Sequence, residues 1–179
     1  FRFFFFFFRD DPDGDSDSAC VAHANSLMAL SRERIADELL KLLALPQPIR
    51  ALSLMIEGGI LQPVIPEITG QGVTRLAVLM VREAAIGMKP DPVLRLCALL
   101  PAQADVGDAV AARLKLSNKA RKRIVAALTP PPAFRSIDEL AFRVGREAAR
   151  DHLLLGETCD ANDVHQLESW QSPTFPVGG

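Results

Sequence analysis

The stretch LSRERIADELLKLLALP, residues 30–46, decides the fold. Ser31 stands where a helix N-cap belongs, and Ile35, Leu39, Leu42 and Leu43 recur on one face at helical spacing. These features predict a helix over 32–44. Pro46 stops the run, and Pro48 can open the next helix at its first turn. That helix carries Leu52, Met55 and Ile56 and ends at Gly58-Gly59. The two prolines of ILQPVIPEITG (60–70) predict an ordered apolar loop. A helix follows over 72–86, before Gly87, and Asp91-Pro92 opens a short buried one, VLRLCALL. In 104–115, Val106, Val110 and Leu114 repeat every four residues; Ser117 then caps 118–128, which Pro130-Pro131-Pro132 ends. Ser136 and Glu139 form a capping box for one helix over 137–155, closed at Gly156. Asp160 or Asn162 starts a last short helix through Trp170. Strand alternation is absent, so the predicted fold is all-α, an array of about seven or eight short helices.

With 179 residues and 49% apolar content, the chain can build one large domain or two small helical ones, and full disorder is excluded. No apolar run reaches the ~18 residues of a membrane helix. Cys20, Cys97 and Cys159 are too few and too scattered for a disulfide framework, which predicts a reducing, cytoplasmic setting and no membrane partner. The net charge of −2 excludes a uniformly basic binder, yet the charge is uneven. Asp10, Asp11, Asp13, Asp15 and Asp17 outweigh that net charge, and the rest of the chain is mildly basic. Seven of the ten Phe lie in residues 1–8, a distribution unlike that of a single-strand binder with aromatic platforms along its strands.

Catalytic signatures are missing: the sequence holds no GxSxG, P-loop, GxGxxG or HExxH, and His23, His152 and His165 stand singly. No catalytic residue is assigned. Cys20 with His23 has ligand-like spacing, but Cys159 and His165 do not form a second tight pair, so no metal site is assigned. Reading Asp11, Asp13 and Asp15 as a calcium loop puts Ser16 where Gly is required and Ala22 where the bidentate Glu is required. The aspartate run reads as a solvated acidic linker, since a two-metal pair needs a strand and a nucleotide-binding turn around it.

The strongest local signal is RLKLSNKARKR, residues 113–123, with six cations and no acid. On a helix over 118–128, Lys119, Lys122 and Arg123 fall at i, i+3 and i+4, while Ala120, Ile124 and Leu128 form a separate core stripe. Arg113 and Lys115 close the preceding helix, and Ser117-Asn118 make the turn. Such a corner suits a nucleic-acid backbone and reads no base sequence by itself. The candidate RNA contacts are Arg113, Lys115, Asn118, Lys119, Arg121, Lys122 and Arg123; the competing explanation is a solvated basic face.

Several segments, in order, resemble the bacterial CCA-adding tRNA nucleotidyltransferases and the related bacterial poly(A) polymerases. Ser31, Glu33-Arg34-Ile35, Glu38-Leu39 and Lys41-Leu42-Leu43 resemble the family's neck helix, and EGGILQPVIPE (57–67) its Gly-to-Pro-Glu turn. DPVLRLCALLP (91–101), RLKLSNKARKRI (113–124) and ESWQSPTFPVGG (168–179) resemble three later family segments, and FRF (1–3) the end of an earlier helix. The resemblance implies residues 30–70 as neck-type RNA-binding helices and 71–179 as a helical body, with 1–29 a poorly matching N-terminal segment. It implies tRNA, held by acceptor and T-arm, as partner, and Glu33, Arg34 and Glu38 as contacts to a catalytic head. The head motifs are not in this sequence, which starts at Phe1 with its first methionine at Met28. The chain is thus expected to be a piece of a longer protein, inactive alone and without a cofactor of its own. Mg2+ with CTP and ATP is implied for the parent enzyme. The competing class is a non-enzymatic helical module that binds RNA or protein.

Overall fold

The computed structural model describes residues 31–156 and 161–170. The acidic run 10–17, Cys20, His23, Cys159, the segment 1–29 and the C-terminal motif from residue 171 onward lie outside the described residues. Nine helices and no strand are present among those described: α1 (Arg32–Leu43), α2 (Ile49–Glu57), α3 (Gly70–Ala85), α4 (Pro92–Leu99), α5 (Ala104–Arg113), α6 (Asn118–Leu128), α7 (Ile137–Val144), α8 (Arg146–Leu155) and α9 (Ala161–Ser169). None of the described helices is long and apolar enough to cross a membrane. The protein is all-α.

Local sequence explains most of the boundaries. The Ser31 hydroxyl accepts the Arg34 amide at 3.3 Å and starts α1. Asp91 accepts the Val93 and Leu94 amides at 3.1 Å each, with Pro92 in the first turn of α4. Ser117 accepts the Ala120 amide at 3.2 Å and starts α6. These are N-caps in which a short polar side chain satisfies an amide with no partner inside the helix. One boundary differs from the sequence reading. The helix expected over 137–155 is two helices, because Gly145 takes φ +85° and ψ 156° and breaks it between α7 and α8. Only glycine enters that region without steric cost. The capping box is also half made: Ser136 accepts the Glu139 amide at 3.2 Å, but the Glu139 carboxylate accepts the amide of Arg135, one residue before the cap.

The centre of the molecule is α4. Its residues Leu94 to Leu99 are all buried, which is the pattern of a helix surrounded by others. α4 packs against α1, α3, α6 and α8. Around it, Ile35, Leu39, Leu43, Leu52, Met55, Leu76, Leu79, Val110, Ile124 and Leu128 build one continuous core. The expected apolar loop is part of that core: Ile60, Leu61, Val64, Ile65 and Ile68 are all buried. α3 comes close enough to the end of α4 that a Cβ on Gly72 would lie 2.2 Å from the Leu99 carbonyl oxygen. A smaller cluster of Ile137, Leu140, Ala141, Ala149, Leu153 and Leu167 joins α7, α8 and α9.

A buried ion pair sits inside this core. Arg95, 3% exposed, donates from Nε and Nη2 to the Glu83 carboxylate at 2.8 and 2.6 Å. Its Nη1 donates to the carbonyls of Leu43 and Leu45 at 2.8 and 2.6 Å. One guanidinium thus closes the C-terminal end of α1 and fastens it to α3 and α4. Replacing Arg95 by Met is expected to cost about 3–5 kcal/mol, because Glu83 would stay buried without its ion-pair partner. The double replacement Arg95→Met with Glu83→Met is expected to recover much of that loss, read as the urea midpoint at unchanged m.

Candidate nucleic-acid interface

The basic segment forms the corner between α5 and α6. α5 ends in a Schellman turn: the Leu116 amide donates to the Ala111 carbonyl and the Lys115 amide to the Ala112 carbonyl, both at 3.0 Å. Lys115 therefore takes the left-handed position, with φ 51°. The Ser117 cap follows at once. The turn throws the side chains of Lys115, Ser117, Asn118, Lys119 and Lys122 into solvent, while Ile124 and Leu128 face the core as expected.

The six cations that look alike in sequence are sorted by their partners. Arg113 forms a forked pair with Glu67 at 2.8 and 2.9 Å and also donates to the Val64 carbonyl at 3.0 Å. Arg121 makes a similar fork with Asp108, both bonds at 2.6 Å. Lys115 Nζ reaches Glu33 Oε1 at 2.8 Å, across 82 residues of sequence. Lys119 and Lys122 are exposed, and no carboxylate lies within ion-pair distance of them among the described residues.

Arg123 needs a correction. Helical spacing grouped it with Lys119 and Lys122 on the outer face, but its guanidinium is turned inward between α4 and α8. It donates to Asp151 at 2.7 and 3.0 Å and to Asp91 at 2.7 Å. Asp151 is 1% exposed, so drawing Arg123 out to a phosphate would strand a buried carboxylate. The charge state of the cluster follows its burial. Hydrogen bonds to Asp151 and then Asp91 hold Arg123 firmly protonated against its desolvation. Burial pushes the Asp151 carboxyl up, and Arg123 only partly offsets it. Burial also acts on Asp91, but the hydrogen bonds from Arg123 and the α4 amides outweigh it and hold that carboxyl below its ordinary value. Sequence reasoning saw Asp91 only as a cap. Nothing local signals its second role, since Arg123 lies 32 residues away.

The residues expected to meet a catalytic head have partners or positions within this fold. Glu33 holds Lys115, Glu38 pairs with Lys41 at 3.0 Å, and Arg34 is exposed on the first turn of α1. Cys97 is buried, and burial pushes its thiol up to about 12. Burial likewise lowers the His152 imidazole. Among the described residues no group of three or more His, Cys, Asp or Glu side chains is placed to hold a metal ion. Among those residues the Mg2+ implied for the parent finds no fitting donor set.

Residues 12–71 match a family model described as the probable RNA and SrmB-binding site of polymerase A. No curated protein matches the chain. The matched stretch contains α1, α2 and the buried connector, so the likeness to an RNA-binding region of polymerase A covers the first described third of the fold. Of the ordered motifs, those at 30–46 and 57–67 lie inside the matched stretch. Both ends of the RLK segment are fastened to this stretch, Arg113 through Val64 and Glu67 and Lys115 through Glu33.

Two measurements test this sorting. Arg123→Met is expected to lose roughly 2–5 kcal/mol of stability, whereas Lys122→Gln stays within about 0.5 kcal/mol, both by urea denaturation. The second concerns acid. The Arg113 hydrogen bond holds the Glu67 carboxyl below its ordinary value. A carboxyl depressed by folding stabilises above its unfolded pKa, and that stability is lost as pH falls through the folded value. Acidification from about pH 5 to 3 should therefore destabilise the wild type more steeply than Glu67→Gln.

Proposed function

We propose that this chain holds RNA by its phosphate backbone, across the α5–α6 corner and the adjoining part of the matched stretch. The RNA in this reading is tRNA, gripped at its acceptor and T-arm. The parent enzyme is then a nucleotidyltransferase that completes the CCA 3′ end from CTP and ATP in the cytoplasm. In that division of labour residues 30–70 serve as neck and 71–179 as body, and the catalytic head with its Mg2+ belongs to the parent. The observation that carries the proposal is the joining of two independent RNA signals. The basic corner, read from charge alone, is pinned by Arg113 onto the stretch that matches an RNA-binding family model. Side chains that contact phosphates hold a shape and a register without reading bases, as tRNA 3′-end processing requires of a holding module.

A second reading, a helical protein-interaction module, is favoured by one feature. Val78 and Val81 are exposed on α3, and Val78 lines a groove of about 590 Å3 with Leu100, Leu128 and Leu155.

The two readings separate in a salt series comparing a tRNA transcript with a duplex DNA of equal length. Three lysine contacts, Lys115, Lys119 and Lys122, should give a log K against log salt slope of roughly −2 to −3, at about 0.7–0.9 per contact. The tRNA should bind more tightly than the DNA, and Lys119→Glu with Lys122→Glu should weaken it at least about tenfold. Equal binding to both, or none at low salt, favours the protein-interaction reading.

A further inference from the structure

Two helices besides α5 end in the same turn. At the end of α2, the Ile60 amide donates to the Met55 carbonyl at 2.9 Å, and at the end of α3 the Met88 amide donates to the Glu83 carbonyl at 2.8 Å. In those two turns the left-handed residue is a glycine, Gly59 at φ 64° and Gly87 at φ 65°. At the end of α5 it is Lys115, the only non-glycine residue with positive φ among those described. A side chain at this position crowds the backbone, so glycine would serve the turn better. The one ion-pair partner of Lys115 among the described residues is Glu33, and that pair is open to water: the side chains are 62% and 52% exposed. Ion pairs so exposed hold weakly, because water and salt screen them. A stabilising role for the pair thus does not explain why a lysine sits in a glycine position.

We infer that Glu33 occupies Lys115 in place of an RNA phosphate, so that the pair is an exchangeable latch which RNA opens on binding. This rests on the RNA-binding reading above and specifies how one of its contacts works. The turn fixes the Lys115 backbone two residues before Ser117, the cap of the helix that carries the exposed Lys119 and Lys122. The Glu33 carboxylate presents to Lys115 what a phosphate would present: a negative oxygen at 2.8 Å. In the free protein the latch lowers the local positive charge and hinders loose anion binding. A phosphate delivered by a backbone already resting on Lys119 and Lys122 displaces Glu33, which turns into solvent from an exposed helix start. Discrimination follows, since an isolated anion must compete with Glu33 alone, whereas RNA competes with the help of neighbouring contacts.

The test compares wild type, Glu33→Gln, Lys115→Gly and the double variant in full-length chain, reading thermal midpoint and affinity for a tRNA transcript across a salt series. Lys115→Gly should melt at or above the wild-type temperature, since glycine suits the turn. It should nevertheless bind RNA about three- to tenfold more weakly, with a salt slope shallower by about 0.7–0.9. Glu33→Gln should bind about three- to tenfold more tightly, and that gain should vanish in the Lys115→Gly background. A gain that persists without Lys115, or no gain at all, overturns the latch and leaves the RNA reading standing. Loss of melting temperature in Lys115→Gly overturns it as well, because Lys115 would then be structural. Absence of RNA binding by the wild type removes the functional reading and the latch together.

Discussion

The fold depends on a guanidinium where a helical core offers no other donor. Helices end in carbonyls that lack partners, and in a bundle of short helices many such ends point inward. Arg95 answers this for α1 by taking the Leu43 and Leu45 carbonyls on one nitrogen while its other two meet Glu83. The apolar residues of α4 would bury equally well in several orientations. The arginine fixes one, because its four bonds are satisfied only when the end of α1 and the last turns of α3 both face it.

The same solution recurs along the chain. Arg75 donates to the Ala98 and Leu100 carbonyls at the end of α4, at 3.0 and 2.9 Å. Arg82 donates to the Leu154 and Gly156 carbonyls at the end of α8, at 2.8 and 2.6 Å. Arg113 takes the Val64 carbonyl in the connector. The planar fork of arginine suits this work, and lysine, a compact charge on a flexible stem, does not. The division also organises the surface. Arg113, Arg121 and Arg123 in the basic segment are tied into the fold, whereas Lys119 and Lys122 face water.

Much of the fold is legible from residues 31 to 128, because most boundaries there carry a local signal: Ser31, Pro48, Gly87, Asp91 and Ser117 all act within one turn of themselves. The break at Gly145 is not legible in the sequence, since a lone glycine inside a helical pattern is usually tolerated; in the fold it separates α7 and α8, which pack on each other and on α9. The position of the basic corner was legible for the same local reason. The fate of each cation was not. Arg123 and Lys122 are adjacent and chemically similar in sequence, and only Asp91 and Asp151, brought from 32 and 28 residues away, tell them apart. Arg95 likewise reads as one charge in a buried run until Glu83 is placed beside it.

The distances in sequence between these partners bear on the order in which the chain can close during synthesis. Leu43 and Leu45 emerge 52 and 50 residues ahead of Arg95, and Glu33 emerges 82 ahead of Lys115. At typical elongation rates of about 5–20 residues per second, the end of α1 waits roughly 3–10 s for the side chain that seals it. The stretch that matches the RNA-binding model is complete by residue 71, before either Arg95 or Arg113 exists. The stretch that the match delimits is therefore sealed by side chains made after it, and the match and the packed unit end at different places along the chain.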